Sequence, residues 1–228
     1  MTEASFTSIT LFSNLSKDEK NSLDSINTVE TIKKGEVIFF EFDIAEAIYF
    51  VNKGKIRISK SSTEGKEITL TVRKPGEIFA EAALFGTKGD TYPATATAIE
   101  ESVVSSIQIK ELEEYAKKCP EIANGLFKIM SNRLRTSQAT LRDVALYGKQ
   151  DSLASTLLRL VKEYGEETEQ GITIQLKLTH EELGSYFGAT RESVNRLINQ
   201  LKREGIVSNK QGFITVHHVE RLEKMLVL

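Results

Sequence analysis

A single cysteine, Cys119, is present in a chain of 228 residues. Disulfide frameworks, zinc clusters and four-cysteine iron–sulfur sites all need more thiols than that, so no such cofactor is expected. Histidine is almost as scarce: His180, His217 and His218 are the whole supply, and none precedes residue 180. A β-barrel oxygenase or isomerase needs two or three histidines and a carboxylate pointing inward, which argues against catalysis and equally against a histidine-ligated haem. His217 and His218 are neighbours in sequence, and neighbours rarely share one ion, so no metal site is expected there. No run approaches the 18 or so apolar residues of a membrane span. The opening "MTEASFTSITLF" lacks a charged segment followed by an apolar one, and a cytoplasmic protein without membrane contact is the expectation. Thirty basic residues against 32 acidic ones leave a formal charge of −2. Affinity for an anionic polymer would therefore have to come from a local patch.

From Thr28 to about Ile109 the pattern has period two. "ETIKKGEVIFF", "AIYFVNKGKIRISKS", "EITLTVRKPGEIFA" and "ATATAIEESVVSSIQI" alternate apolar and polar residues, with breaks at Gly35, Lys53-Gly54, Glu64-Gly65 and Pro75-Gly76. Short antiparallel strands at this spacing predict a β-sandwich or roll. Ahead of them Ser16, with Glu19 three residues on, predicts a capped helix packed on the roll.

Beyond Ile109 the period becomes helical. Between Pro120 and Gly148 no proline intervenes and Gly125 is the single glycine. Phe127, Met130, Leu134, Leu141 and Val144 fall on one face, and Ser137 completes the heptad spacing between Leu134 and Leu141. About eight turns at ~3.6 residues per turn is more helix than a roll can cover. The seam predicts pairing with the same helix of a second copy, a two-fold homodimer. Ser137 and Thr140 would then accommodate packing or face a ligand.

The remainder reads as "KQDSLASTLLRLVKEYG", an amphipathic helix, then the acidic turn "EETEQG", then a strand "ITIQLKL". In "LTHEELGSYFGATRESVNRLINQLKREG" Thr179 caps one helix with Glu182 at its third position, and Gly188 breaks it. Thr190 caps the next with Ser193. Two strands around Gln211-Gly212 and a closing helix follow. Helices joined by a glycine turn and followed by a hairpin make a winged helix-turn-helix. Its geometry sends the first turn of the second helix into a DNA major groove, which nominates Arg191, Glu192, Asn195 and Arg196 for base edges. Thr179, Thr190, Ser193, Lys202 and Lys210 are nominated for the backbone. Residues 189–211 carry five basic side chains against Glu192 and Glu204. A mixed-charge solvated helix would be the ordinary interpretation; caps, turn, buried positions and hairpin together favour duplex DNA.

With these features in order, the chain resembles the cyclic-AMP receptor protein and fumarate-nitrate regulator (Crp-Fnr) family of bacterial transcription regulators over nearly its whole length. "GATRESVNRLINQLKREGIV" carries the most specific likeness, an R-E-x-x-x-R pattern met by Arg191, Glu192 and Arg196. The resemblance implies an α+β fold, with a cyclic-nucleotide-binding-like jelly roll over 1–118, a dimerisation helix over 119–148 and a winged helix-turn-helix over 149–228. It also implies a homodimer on an inverted repeat of TGTGA-like half-sites, with the arginines on guanines and the glutamate on cytosine, an effector in the roll and recruitment of RNA polymerase. Asn195 stands where the family often has glycine or serine. "KPGEIFAEAALFGTKGDTYPATATA" resembles the family's phosphate-binding cassette, but Ala80 replaces the glycine before Glu81, and Tyr92-Pro93 replaces the arginine-serine pair. Without that arginine a buried phosphodiester lacks its main charge partner, so cyclic AMP is not the expected effector. A small molecule of another kind near Gly76, Glu77, Glu81, Tyr92, Ser137 and Thr140 is the expectation. An effector-independent regulator, or an oxidant sensor built on Cys119, is the alternative.

Overall fold

The cap at Ser16 forms as its spacing requires. Ser16 Oγ accepts from the Glu19 amide at 3.3 Å, and Glu19 Oε2 accepts from the Ser16 amide at 2.8 Å. This closes the first turn of α1 (Lys17–Asp24). The structure, a computed structural model, describes residues 9–12, 15–64, 67–84, 86–87, 89–146 and 148–226, without the side chains of 10, 139, 140 and 143–146. Two compact units result, Met1–Arg133 and Leu134–Leu228.

In the first unit the alternating stretches become eight strands: β1 (Thr28–Ile32), β2 (Val37–Phe39), β3 (Ala47–Lys53), β4 (Ile56–Ser61), β5 (Glu67–Arg73), β6 (Ile78–Phe79), β7 (Thr95–Ala98) and β8 (Ser102–Gln108). They form two antiparallel four-stranded sheets, ordered β1-β8-β3-β6 and β2-β7-β4-β5. Strand β3 shows why the sequence alternates and yet is apolar on both faces. Ile48 and Phe50 enter one core with Phe12, Leu23, Leu112 and Ile122. Val51, with Tyr49 packed beside it, enters the other, between the sheets, with Phe39, Ile56, Phe79 and Tyr92. A period of two thus feeds two cores from one strand. Helix α2 (Ile109–Lys118) follows, Cys119 interrupts the helical backbone at φ −124°, and Pro120 opens α3 (Pro120–Leu146). Proline suits that first position, where its missing N–H would have no helical acceptor. Tyr115 Oη donates to the Glu19 carbonyl at 3.0 Å, tying α2 to α1.

The second unit contains α4 (Lys149–Tyr164), β9 (Gly165–Thr168), β10 (Gly171–Ile174), α5 (His180–Ser185), α6 (Arg191–Arg203), β11 (Val207–Lys210), β12 (Phe213–Val216) and α7 (Val219–Met225), together with the C-terminal part of α3. Its sheet runs β11-β12-β10-β9. Leu153, Leu157 and Leu160 of α4, Leu183 of α5, Val194, Ile198 and Leu201 of α6, and Ile214 and Val216 of β12 are buried.

Here the structure departs from the sequence-based expectation at two places. "EETEQG", expected as a turn, supplies β9, paired residue for residue with β10 from Gly171↔Thr168 to Ile174↔Gly165. All four β9 residues are exposed, so no apolar alternation marks the strand; backbone hydrogen bonds at a sheet edge hold it, and its acidic side chains discourage further pairing. The expected strand "ITIQLKL" also stops at Ile174, although Leu176 and Leu178 beyond it are buried.

Candidate nucleic-acid interface

Helix α6 is positioned by its cap and by its apolar face. Thr190 keeps extended backbone angles, and its hydroxyl accepts from the Ser193 amide at 3.3 Å. Val194, Leu197, Ile198 and Leu201 are buried, which leaves Arg191, Glu192, Asn195 and Arg196 exposed on the opposite face. Helix α5 has the full reciprocal cap: Thr179 Oγ1 accepts from the Glu182 amide at 3.1 Å, and Glu182 Oε2 accepts from the Thr179 amide at 2.8 Å. The chain turns between the two helices with Gly188 at φ +67°, a left-handed conformation that glycine adopts without a Cβ penalty.

The wing is the hairpin of β11 and β12. Lys210 pairs with Phe213, and the two residues between, Gln211 and Gly212, have φ of +55° and +90°. Positive φ at both central positions is the turn that matches hairpin twist, and Asn209 Oδ1 supports it by accepting from the Gly212 amide at 3.2 Å. Lys210 is exposed at the wing tip, and Lys202 is partly buried near the end of α6.

The structure adds residues that the sequence reading did not nominate. Asn199 lies one turn beyond Asn195 on the same exposed stripe and donates to its Oδ1 at 3.3 Å; its four-residue spacing was the available signal. An open concavity of about 750 Å³ brings Lys177, Thr179 and His180 together with Arg191 and wing residue Gln211. Nothing in local pattern joins these segments. Burial, together with Lys202 and Arg191, holds the His180 imidazole below its ordinary pKa. The other two histidines go separate ways: His217 Nδ1 meets the Gln170 carbonyl, and His218 Nδ1 lies 3.1 Å from Glu220 Oε1. Among the described residues no group of three or more His, Cys, Asp or Glu side chains is arranged to hold a metal ion.

The residues nominated for an effector are placed as follows. Pro75 and Gly76 occupy a tight turn, Gly76 at φ +90° with its amide donating to the Val51 carbonyl at 2.9 Å. Glu77 Oε2 caps the same turn by accepting from the Lys74 amide at 3.0 Å. Ala80 takes the left-handed φ of +65°. Glu81 forms an ion pair with Arg133 of α3, which also donates to the Ile78 carbonyl. Burial, and next the charge of Arg73, pull the Arg133 guanidinium down to about 9, with Glu77 opposing; it remains charged at neutral pH. Tyr92 is buried. Its hydroxyl donates to the Ala47 carbonyl at 2.9 Å and accepts from the Ala47 and Glu46 amides at 3.1 and 3.2 Å, while its ring stacks on Phe39 at 3.8 Å between centroids. Ser137 is exposed, and the side chain of Thr140 lies outside the described residues.

On α3, Phe127, Met130, Leu134 and Leu141 are exposed, by 66%, 37%, 60% and 69%. Four apolar side chains at heptad spacing thus stand in solvent on a single chain, along with Ser137; the Val144 side chain lies outside the described residues. Cys119 is buried, its Sγ 3.4 Å from Glu121 Oε2 and 3.7 Å from Glu19 Oε1. Burial pushes its thiol pKa up. No helix among the described residues is long and apolar enough to cross a membrane.

Comparison with known proteins agrees with this geometry at both ends of the chain. The family model described as Cyclic nucleotide-binding domain matches residues 29–119, and that described as Crp-like helix-turn-helix domain matches residues 152–225. The anaerobic regulatory protein of Bacillus subtilis is 35% identical over 204 residues, 89% of this chain and 85% of that protein. The global nitrogen regulator of a Nostoc strain is 32% identical, covering 83% of this chain and 85% of its own length. The crystal structure of a CRP/FNR-family transcriptional regulator from Thermus thermophilus aligns with a TM-score of 0.71 at 25% identity, over 88% of this chain and 99% of that one. With both halves matched and a full-length relative above 30% identity, the chain belongs to the CRP/FNR family of DNA-binding transcription regulators.

Proposed function

We propose that the protein acts as a cytoplasmic homodimer on an inverted repeat of TGTGA-like half-sites, with Arg191 and Arg196 reading guanines, Glu192 accepting from a cytosine amino group and Asn195 facing the middle of the half-site. The observation that carries this reading is the exposed stripe of α6, which offers two guanidinium forks and one carboxylate on the face opposite its buried one. Arginine bonds both acceptors of a guanine edge, and each good bidentate contact discriminates by roughly 1–3 kcal/mol. Thr179, Thr190, Ser193, Lys202 and Lys210 supply backbone contacts around it. The uncovered apolar seam of α3 supports the dimer, and the dimer supports recruitment of RNA polymerase at a promoter from a symmetric site.

The effector is a small molecule other than cyclic AMP. Supporting this, Tyr92 stands where the family's phosphate-binding arginine would, and its hydroxyl already has three backbone partners. The same packing favours a second reading, regulation without an effector, because Tyr92, Phe39, Tyr49 and Phe79 fill the space between the sheets with stacked rings. A redox role for Cys119 gains no support from its burial and raised thiol pKa.

The deciding experiment is DNase footprinting on a duplex whose inverted half-sites lie about one helical turn, ~34 Å, apart, beside a random duplex. Symmetric protection of the repeat is expected. Arg196→Ala should narrow the preference for the repeat over the random duplex, an expected loss of about 5–150-fold per half-site. Equal protection of both duplexes by the unaltered protein refutes the assignment.

A further inference from the structure

The concavity beside the recognition helix contains one group whose charge changes in the physiological pH range. His180 opens α5 and shares that hollow with Lys177 from the preceding segment, Glu181 from its own helix and Arg191 from the start of α6; the wing contributes the uncharged Gln211 and Gly212. Lys202, near the far end of α6, acts on it as a further cation. Two cations, Lys177 and Arg191, against the one carboxylate of Glu181 line the hollow and suit it to an anion. Arg191, with Lys202 beyond the lining, also opposes a proton on the imidazole while the seat is empty.

We infer that His180 is a proton-linked contact to the DNA backbone: a phosphodiester entering the hollow favours its imidazolium form, so operator affinity rises as pH falls. The inference rests on the DNA-binding reading and adds to it a class of contact and a condition of regulation. The physical cause is a reversal of the local field. In the free protein, burial and the charges of Lys202 and Arg191 all disfavour imidazolium. A phosphate in the hollow introduces a negative charge and accepts from the imidazolium N–H, a charge-assisted hydrogen bond stronger than a neutral one. Any proton bound more tightly in the complex than in the free protein must in turn tighten the complex, by reciprocity of linkage. Histidine suits the role, because among unperturbed side chains it alone changes charge between about pH 5 and 8. An arginine or lysine at the same place would grip phosphate at every such pH.

The test is fluorescence anisotropy with a labelled duplex carrying an inverted TGTGA repeat, and with a random duplex of equal length, at fixed ionic strength from about pH 5.5 to about pH 8. If bound phosphate strengthens proton binding about tenfold, affinity gains up to about tenfold per protomer on acidification. Both duplexes should show the gain, because the backbone carries it. His180→Gln is expected to remove most of the slope, and His180→Arg to bind tightly at both ends of the range. Calorimetry of the unaltered protein in two buffers of different ionisation enthalpy should report net proton uptake. A pH-independent affinity with intact repeat preference overturns the inference and leaves the DNA-binding reading standing. Retention of the full slope in His180→Gln does the same. Absence of binding to either duplex at every pH overturns both.

Discussion

Arg133, on the long helix, closes onto the carboxylate of Glu81, which opens a short 3-10 helix (Glu81–Ala83) after β6, and donates as well to the Ile78 carbonyl beside it. The two residues are 52 positions apart in sequence and both mostly buried, with side chains exposed by 21% and 14%. Removing Arg133 leaves the Glu81 carboxylate without its counter-ion in a poorly solvated place, whereas removing Glu81 leaves Arg133 to the weaker attraction of Glu77. Arg133→Ala is expected to lower unfolding free energy by about 2–4 kcal/mol, less than a fully buried pair because some water reaches it. Glu81→Gln should cost less, and the double variant less than the sum of the two. Urea denaturation of the four proteins, read as a double-mutant cycle, checks this; strict additivity would mean that the pair does not couple.

Tyr92 is held through its hydroxyl as well as its ring. Tyr92→Phe keeps the stacking on Phe39 and leaves two amides and a carbonyl without that partner, which should cost about 1–3 kcal/mol. Denaturation midpoints provide the measurement. An unchanged midpoint would show that the hydroxyl contributes nothing to the packing of the roll.

The seam on α3 makes a prediction about assembly. Leu134→Asp places a carboxylate among apolar side chains that a second copy would cover. Sedimentation equilibrium should show the unaltered chain as a dimer and the variant as a monomer at the same concentration. A variant that remains fully dimeric would place the pairing surface elsewhere.

Cys119 should be chemically quiet. Burial favours its neutral thiol, so the pKa of this acid is higher folded than unfolded. The associated stability is present below the unfolded value, about 8.5, and is lost as pH rises from there through the folded value. Alkylation should therefore be slow in the native protein and fast in urea, with the contrast greatest just above that unfolded value. Cys119→Ser should leave DNA affinity unaltered in the presence and absence of mild oxidants.

The recognition helix was legible because its determinants are local. Thr179 with Glu182, and Thr190 with Ser193, are caps written three residues apart, and Val194, Leu197, Ile198 and Leu201 mark the buried face without reference to the rest of the fold. Strand β9 was illegible for the opposite reason: its four residues are all exposed, and backbone pairing with β10 rather than an apolar pattern defines it. The pairing of Arg133 with Glu81 could not be read either, since topology brings α3 to that short 3-10 helix. The left-handed backbone of Phe42 and Ala80 was equally hidden, because neither residue type announces positive φ. At Tyr92 the departure from the family pattern was visible, but its consequence, a hydroxyl shared among three backbone groups, depends on where β3 begins.

The caps at the interface also bear on how an acidic chain approaches a polyanion. Glu182 lies in the first turn of α5 and Glu204 at the C-terminal end of α6, and unattached carboxylates on these helices would repel a duplex. Each is instead turned toward its own scaffold: Glu182 Oε2 receives the Thr179 amide and hydroxyl, and Glu204 Oε1 receives the Gln200 side-chain amide at 3.0 Å. Those donors offset part of the negative charge on the two carboxylates. Local tethering of acids, together with a local excess of bases over residues 189–211, lets a molecule of charge −2 present a welcoming face to nucleic acid.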